Sequence, residues 1–272
     1  MRKLLLGILI SVFLIAPLCV QTANATILFQ DGFETSWSGN YADGWENTAY
    51  RHGAAPVAIM MQQTGQAHSG SFGLELTAES VATASQFWAG VSAANIPHSA
   101  MAKKYDPYVS VWYYDQLGDT HAGQLFAVPD WVNPYIAPGE DWTDVQFGGR
   151  SSLTDNYYYV AAGQGSPGWQ NSDQVRSEGW HNLKFQLSSS TGFIEFYIDN
   201  LLVGQSYRND YTNLGTEIGL FTMFDTPLSS FLEKPSTIWD DFEVGSSVPE
   251  PATMILFGLG LLGVAGIGRR KK

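Results

Sequence analysis

The chain has 272 residues, of which 26 are acidic and 14 basic, for a formal net charge of −12. Six basic residues lie at the two termini, so residues 26 to 250 hold all 26 acidic residues and only 8 basic ones, a net −18. That balance excludes nucleic acid as a partner, because phosphate binding needs a basic footprint. Cys19 is the single cysteine and lies in the first twenty-five residues. The rest of the chain therefore has no disulfide, thiolate zinc site or cysteine nucleophile.

The chain opens with Arg2 and Lys3, an apolar run from Leu4 to Leu18 broken by Gly7, Ser11 and Pro17, and then Ala23-Asn24-Ala25. Positive start, apolar middle and A-x-A end are the layout of a secretory signal peptide, so residues 1–25 are expected to direct export and to be cleaved after Ala25. Leu18 stands where a lipobox needs a small residue, and lipidation at Cys19 is not expected.

Residues 26–247 read as β throughout. Runs rich in Val, Ile, Phe, Tyr and Trp recur at 26–30, 56–61, 71–78, 107–114, 157–162, 180–187, 193–198, 216–223 and 237–244, with turn residues between them. In 71–78, Phe72, Leu74 and Leu76 share one face, opposite Ser71, Gly73, Glu75 and Thr77. No segment sustains helical periodicity over three turns. The expected fold is all-β, an antiparallel two-sheet sandwich. Trp112, Trp180 and Trp239 sit in strand patterns and are expected in its core.

Two stretches place aromatic residues in polar, Pro/Gly-rich sequence. Residues 128–147 set Trp131, Tyr135 and Trp142 beside Asp130, Asn133, Asp141 and Asp144, and Trp169 stands near Gln170, Asn171 and Asp173. Flat aromatic faces beside amides and carboxylates suit sugar rings, so Trp131, Tyr135, Trp142, Trp169 and Asn171 are the glycan-binding candidates. The competing reading has these loop aromatics folding back as lids on the core.

Residues 179–204 read GWHNLKFQLSSSTGFIEFYIDNLLVG. A strand ends at Leu187, a Ser/Thr/Gly turn follows, a second strand runs to Ile198, and Asp199-Asn200 makes a tight reversal into Leu201–Val203. This stretch resembles the hairpin of concanavalin A-like (laminin G-like) jelly rolls. The resemblance implies two curved antiparallel sheets and no particular ligand. Residues 28–34 and 238–244 look like the first and last strands of such modules, which lie side by side and in some members hold a structural calcium. Asp31, Glu34, Asp240 and Asp241 are the matching calcium candidates, since Ca²⁺ takes several hard oxygens.

Signs of catalysis are absent from the sequence. The histidines at 52, 68, 98, 121 and 181 lack ligand spacing and there is no H-E-x-x-H. There is no G-x-S-x-G elbow. GQGSPG at 163–168 contains Pro167 and reads as a turn, and GLGLLG at 258–263 belongs to the C-terminal apolar run. A glycoside hydrolase needs two carboxylates across the sugar. The E-x-D-x-x-E run typical of the hydrolases of the resembled fold is missing, so no catalytic residue is expected.

The C-terminal segment 248–272 has three parts. Val248-Pro249-Glu250-Pro251 leads into an uncharged run, Ala252 to Ile267, and Arg269-Arg270-Lys271-Lys272 closes the chain. As a helix those sixteen residues would be about 24 Å long, short of the roughly 30 Å hydrocarbon core. Gly268 and snorkelling side chains extend the span to 252–268, and the basic end is expected in the cytoplasm. The box at Val248, Pro249, Glu250 and Pro251, the short span, and Arg269 and Arg270 together resemble the PEP-CTERM sorting tail. That resemblance implies removal by an exosortase, transient anchoring in the inner membrane, and work at the surface of a Gram-negative bacterium that makes extracellular polysaccharide. The functional expectation is a non-catalytic, glycan-binding surface protein associated with exopolysaccharide. A structural or adhesion protein without a ligand and a jelly-roll hydrolase or lyase stay open.

Overall fold

Alternation along each strand decides which side chains enter the core. The computed structural model describes residues 25–37, 41–48, 58–80, 87–117, 122–127, 130–131, 145–149, 156–162, 169–206, 209–215, 217–224 and 236–246. Residues 1–24 and 247–272, where export and sorting segments are expected, lie outside these residues, and among the described residues no helix is long and apolar enough to cross a membrane. Seventeen strands are described: β1 (Thr26–Asp31), β2 (Trp45–Thr48), β3 (Ala58–Thr64), β4 (Gly73–Ser80), β5 (Phe87–Ala93), β6 (Pro107–Asp115), β7 (Gly123–Ala127), β8 (Asp130–Trp131), β9 (Val145–Gly148), β10 (Tyr157–Ala162), β11 (Gln170–Val175), β12 (Gly179–Leu187), β13 (Ile194–Ile198), β14 (Leu201–Gln205), β15 (Tyr211–Asn213), β16 (Ile218–Phe224) and β17 (Ser236–Ser246). Two short 3₁₀ turns, His98–Met101 and Lys103–Tyr105, are the helical pieces among them.

The strands form two antiparallel sheets. One runs β14-β13-β12-β6-β17-β4-β3, with β1 joining it as an eighth strand beside β17. The other has seven strands, β11-β10-β9-β7-β16-β5-β2, and β8 and β15 make a separate pair. The first and last strands are therefore neighbours, as the sequence predicts. Leu74, Leu76, Val111, Phe185 and Phe196 from the larger sheet face Val91, Leu125, Phe147, Val160 and Leu220 from the smaller one. Phe147 and Phe196 meet edge-on across the gap, centroids 5.4 Å apart. Each such side chain contributes about 1.5–3 kcal/mol through burial. This is an all-β jelly-roll sandwich, and Ile27–Ser246 forms one compact unit.

The 179–204 stretch folds as predicted. Leu183 pairs with Ile198 and Leu187 with Ile194. Asp199 and Asn200 both have positive φ (49° and 67°), the backbone of a two-residue turn matched to strand twist and tolerated best by Asn, Asp and Gly. Ile198 and Leu201 then pair across it.

β17 carries one extra residue opposite β6. Asp240 pairs with Trp112 and Glu243 with Ser110, so three steps on β17 match two on β6. This is a bulge, with Asp241 in the left-handed region at φ 47°. It lets Trp239 and Phe242 both enter the core, which strict alternation forbids.

Two sequence expectations are corrected here. Of the three strand tryptophans only Trp239 is in the core. Trp112 and Trp180 fall on the opposite parity from Val111, Tyr113 and Leu183, and so lie on the outer face of the larger sheet. Phe72 precedes β4 and is 42% exposed, while Leu74 and Leu76 are fully buried.

Candidate functional site

The outer face of the larger sheet is unusually aromatic for a surface that alternation should leave polar. β6 presents Tyr108, Ser110, Trp112 and Tyr114 on the parity opposite its core residues, and β12 presents Trp180, Asn182, Lys184 and Gln186. Register sets Trp180 beside Tyr114, Asn182 beside Trp112, and Lys184 beside Ser110. β13 adds Tyr197 beside Lys184 and Glu195 beside Gln186.

At one end of this face the Trp180 and Tyr114 rings meet edge-on at 5.3 Å. The His68 imidazole stacks on Trp112 at 3.7 Å with an 11° tilt, and lies edge-on to Trp180 at 5.7 Å. Asn182 Nδ2 donates to Ser110 Oγ at 2.9 Å. At the other end Lys184 Nζ lies 4.8 Å from the Tyr108 ring centre and 5.7 Å from that of Tyr197. Tyr108 is largely covered there and forms the floor of the face. Tyr108 donates its hydroxyl proton to Glu243, and Tyr197 donates to Glu195 at 2.6 Å. Burial pushes the Lys184 ammonium below its ordinary value, and the Glu243 charge partly offsets this. Burial, then the bond to Glu195, pushes the Tyr197 phenol up to about 12. Burial and then Glu243 raise Tyr108 as well.

These phenols carry an alkaline prediction. A folded-state value raised above the ordinary 10 means their contribution is complete below about pH 10 and is lost as pH rises towards 12. Urea stability is expected to fall through that window. Glu195→Gln should move the Tyr197 step, followed by phenolate absorbance, to lower pH.

The four calcium candidates are brought to one region, but they tie down a loop there. Asp240 Oδ2 accepts the backbone N–H groups of His68 and Ser69 at 2.8 and 3.0 Å. Asp241 Oδ1 accepts the Ser69 hydroxyl, and its Oδ2 lies 2.8 Å from His68 Nδ1. Glu34 Oε1 accepts Ser71 N–H and Phe72 N–H. Asp31 accepts Phe33 N–H on one oxygen and the Trp45 indole N–H on the other. Burial raises the Asp240 carboxyl, and the N–H donors from Ser69, Asp241 and His68 work against it. Among the described residues no three His, Cys, Asp or Glu side chains converge as a ligand set. Asp240, Asp241 and Glu34 hold the loop 65–72, and with it His68 on Trp112. Chelation with EDTA is therefore expected to leave Tm unchanged. A fall in Tm together with one calcium per chain by elemental analysis would establish the calcium reading.

The sequence-predicted glycan residues are divided. Trp169 is partly buried against Phe126 and Phe221 on the outer face of the smaller sheet, where those two rings stack at 3.8 Å. Asn171, two residues along in β11, is exposed and uses its Oδ1 to accept Asp173 N–H at 2.7 Å. Trp131 pairs through its backbone with Tyr211 in the β8–β15 pair. Tyr135 and Trp142 lie outside the described residues. The aromatic face of the larger sheet escapes the sequence reading, although the even-numbered spacing along 108–114 and 180–186 shows it once the core parity is known.

One further constellation joins residues distant from any motif. His181 Nδ1 lies 2.8 Å from Asp199 Oδ2, and its Nε2 lies 3.0 Å from Ser177 Oγ. The connectivity is that of a nucleophile triad, but Nε2 is also 3.0 Å from the Ser177 carbonyl oxygen. That oxygen needs an N–H on Nε2, whereas a general base needs a free lone pair there. Asp199 meanwhile accepts Asn182 N–H at 2.8 Å. The group reads as a clasp on the β12–β13 hairpin.

Comparison with known proteins bears on the two parts of the chain separately. Residues 247–272 match the PEP-CTERM protein-sorting motif. The chain therefore carries the sorting signal of an exosortase-processed exported protein. No curated protein matches the chain. The sandwich is similar to a GlcNAcα1-4Gal-releasing endo-β-galactosidase from Clostridium perfringens, at 14% identity and a TM-score of 0.51, covering 84% of this chain and 64% of that one. It also aligns with a carbohydrate esterase from Shiga toxin-encoding bacteriophage phi24B (11% identity, TM-score 0.48, 82% and 99% covered). A sialidase aligns at 14% identity and a TM-score of 0.44, with 82% of this chain spanning 19% of the sialidase. At 14% identity the likeness to the endo-β-galactosidase is one of fold.

Proposed function

We propose that this PEP-CTERM-tailed chain is a non-catalytic glycan-binding surface protein. In this reading it is exported across the inner membrane, held there briefly by its tail, released by an exosortase, and retained in or beside extracellular polysaccharide. The observation that carries the binding half is the aromatic outer face of the larger sheet. Tyr114 and Trp180 stand there with Asn182 and Ser110, rings beside amide and hydroxyl groups as sugar faces and rims require, with Trp112 next to them under His68. The −18 balance of residues 26–250 keeps such a protein soluble and off nucleic acid.

Two measurements on one preparation test it. The mass of protein recovered from the cell surface is expected to end near Pro251, and the same protein is expected to be retarded in gels cast with the host's polysaccharide. An intact Lys272 with no retardation by any glycan would refute both halves. A hydrolytic reading rests on Ser177, His181 and Asp199; fluorophosphonate labelling that disappears in Ser177→Ala would favour it.

A further inference from the structure

We infer that the outer face of β13, β12 and β6 binds an uncharged polysaccharide between Trp180 and Tyr197, an inference that rests on the glycan-binding reading and assigns its site and ligand class.

Length points to a polymer. Trp180 and Tyr197 are partly exposed rings at the two ends of this face: Tyr197 is in register with Lys184, four residues along β12 from Trp180. At about 3.4 Å per residue the two rings stand roughly 14 Å apart along the strands, more than a single sugar ring can cover. Tyr114 stands beside Trp180 at one end, while Tyr108 beneath the other end is buried and His68 covers one face of Trp112. A concave pocket can surround a small ligand, while a sheet face gains affinity by touching several units of a long one. The interleaved groups match a chain of hydroxylated rings: Ser110, Asn182 and Gln186 lie between the aromatics in register.

Charge selects the kind of polymer. The face carries Glu195 and Glu243 with Asp241 at its margin, against the single ammonium of Lys184 among its described outward residues. Lys184 is already committed to two phenol rings. A polyuronate or sulfated glycan would bring further negative charge against these carboxylates, whereas a neutral or N-acetylated polymer would not. The rings are also held in place before binding. The stack of His68 on Trp112 is fixed by Asp241, and the Tyr108 and Tyr197 hydroxyls are bonded to Glu243 and Glu195. Little side-chain freedom is left to lose on binding.

The test is affinity electrophoresis of the exported domain in gels containing hydroxyethylcellulose, galactomannan or glycol chitin as uncharged or acetylated polymers, and alginate as a polyuronate. Retardation is expected with at least one uncharged polymer, insensitive to salt, and not with alginate. The double variant Tyr114→Ala/Trp180→Ala should weaken it at least tenfold with an unchanged far-UV spectrum, and Tyr114→Phe/Trp180→Phe should retain most of it. Trp169→Ala, on the other sheet, should leave it unchanged. If Trp169→Ala abolishes retardation while the double variant does not, glycan binding stands and this site is wrong. Binding to alginate alone overturns the ligand class. A concentration-dependent dimer lost in the double variant would make the face a self-interface and overturn the proposal. Retardation by none of the polymers, the host's own included, refutes the glycan reading itself.

Discussion

Arg176→Met is expected to destabilise the domain by about 3–5 kcal/mol in urea unfolding, because it strands a buried carboxylate. Arg176 donates from Nε and Nη2 to the two oxygens of Asp115 at 2.8 and 2.7 Å. Asp115 is fully buried and Arg176 is 8% exposed. Asp115 ends β6 in the larger sheet, and Arg176 follows β11 in the smaller one, so the pair ties the two sheets together. Burial opposes the guanidinium charge, but the bond to Asp115 and the surrounding phenols outweigh this and hold its value above the ordinary one. Burial first, and then the Asp115 charge, raise both Tyr113 and Tyr158, so both phenols stay protonated beside the pair, and neither can supply the positive charge that the guanidinium takes away with it. With about 2–4 °C per kcal/mol for a domain of this size, Tm should fall on the order of 10 °C. The double variant Asp115→Asn/Arg176→Met should recover part of the loss, since the uncompensated charge goes too. The amide oxygen it introduces can still accept Leu117 N–H, as the Asp115 carboxylate does. A single variant that melts like wild type would show the pair to be dispensable.

Trp239→Ala is expected to cost about 3–5 kcal/mol, the usual loss on emptying a large aromatic site. Trp239 is fully buried in the bulged strand β17. Its indole N–H donates to Thr237 Oγ1 at 2.8 Å, and that hydroxyl lies 2.8 Å from Thr222 Oγ1. Its ring leans on Tyr113 at 4.8 Å. Opposite it stands Gly123, where an added Cβ would come within 2.5 Å of Trp239 Cζ2. Gly123→Ala alone should therefore cost about 1–3 kcal/mol by overpacking. Trp239→Phe removes the atom it strikes, so the pair of changes should be less harmful than the sum of the two. Strict additivity in the double-mutant cycle would refute the contact.

The larger sheet is legible in the sequence because its strands alternate cleanly: the runs at 107–114, 180–187, 193–198 and 237–244 match β6, β12, β13 and β17 to within a residue or two. Most of the smaller sheet is not. β5 (FWAGVSA), β7 (GQLFA), β9 (VQFG) and β11 (QNSDQV) are short and rich in Gly, Gln and Ser, residues that signal turns when read alone. Their glycines are there for close approach between chains. A Cβ on Gly148 would lie 2.1 Å from the Gly123 carbonyl oxygen, and one on Gly90 would lie 2.0 Å from the Phe221 ring. Trp112 and Trp180 read as core residues in the sequence because periodicity tells that two faces differ and not which of them is covered.

The sequence by itself determined the sorting tail, the β class and the hairpin at Asp199-Asn200, because each is written in contiguous residues with a local physical cause. The tertiary structure decided everything that depends on residues far apart in the chain. It set the second sheet, the Arg176–Asp115 tie, the use of Asp31, Glu34, Asp240 and Asp241 as loop fastenings, and the outward turn of the Trp112 and Trp180 rings. Those facts follow from register and from one extra residue in β17, and neither is recorded in local composition.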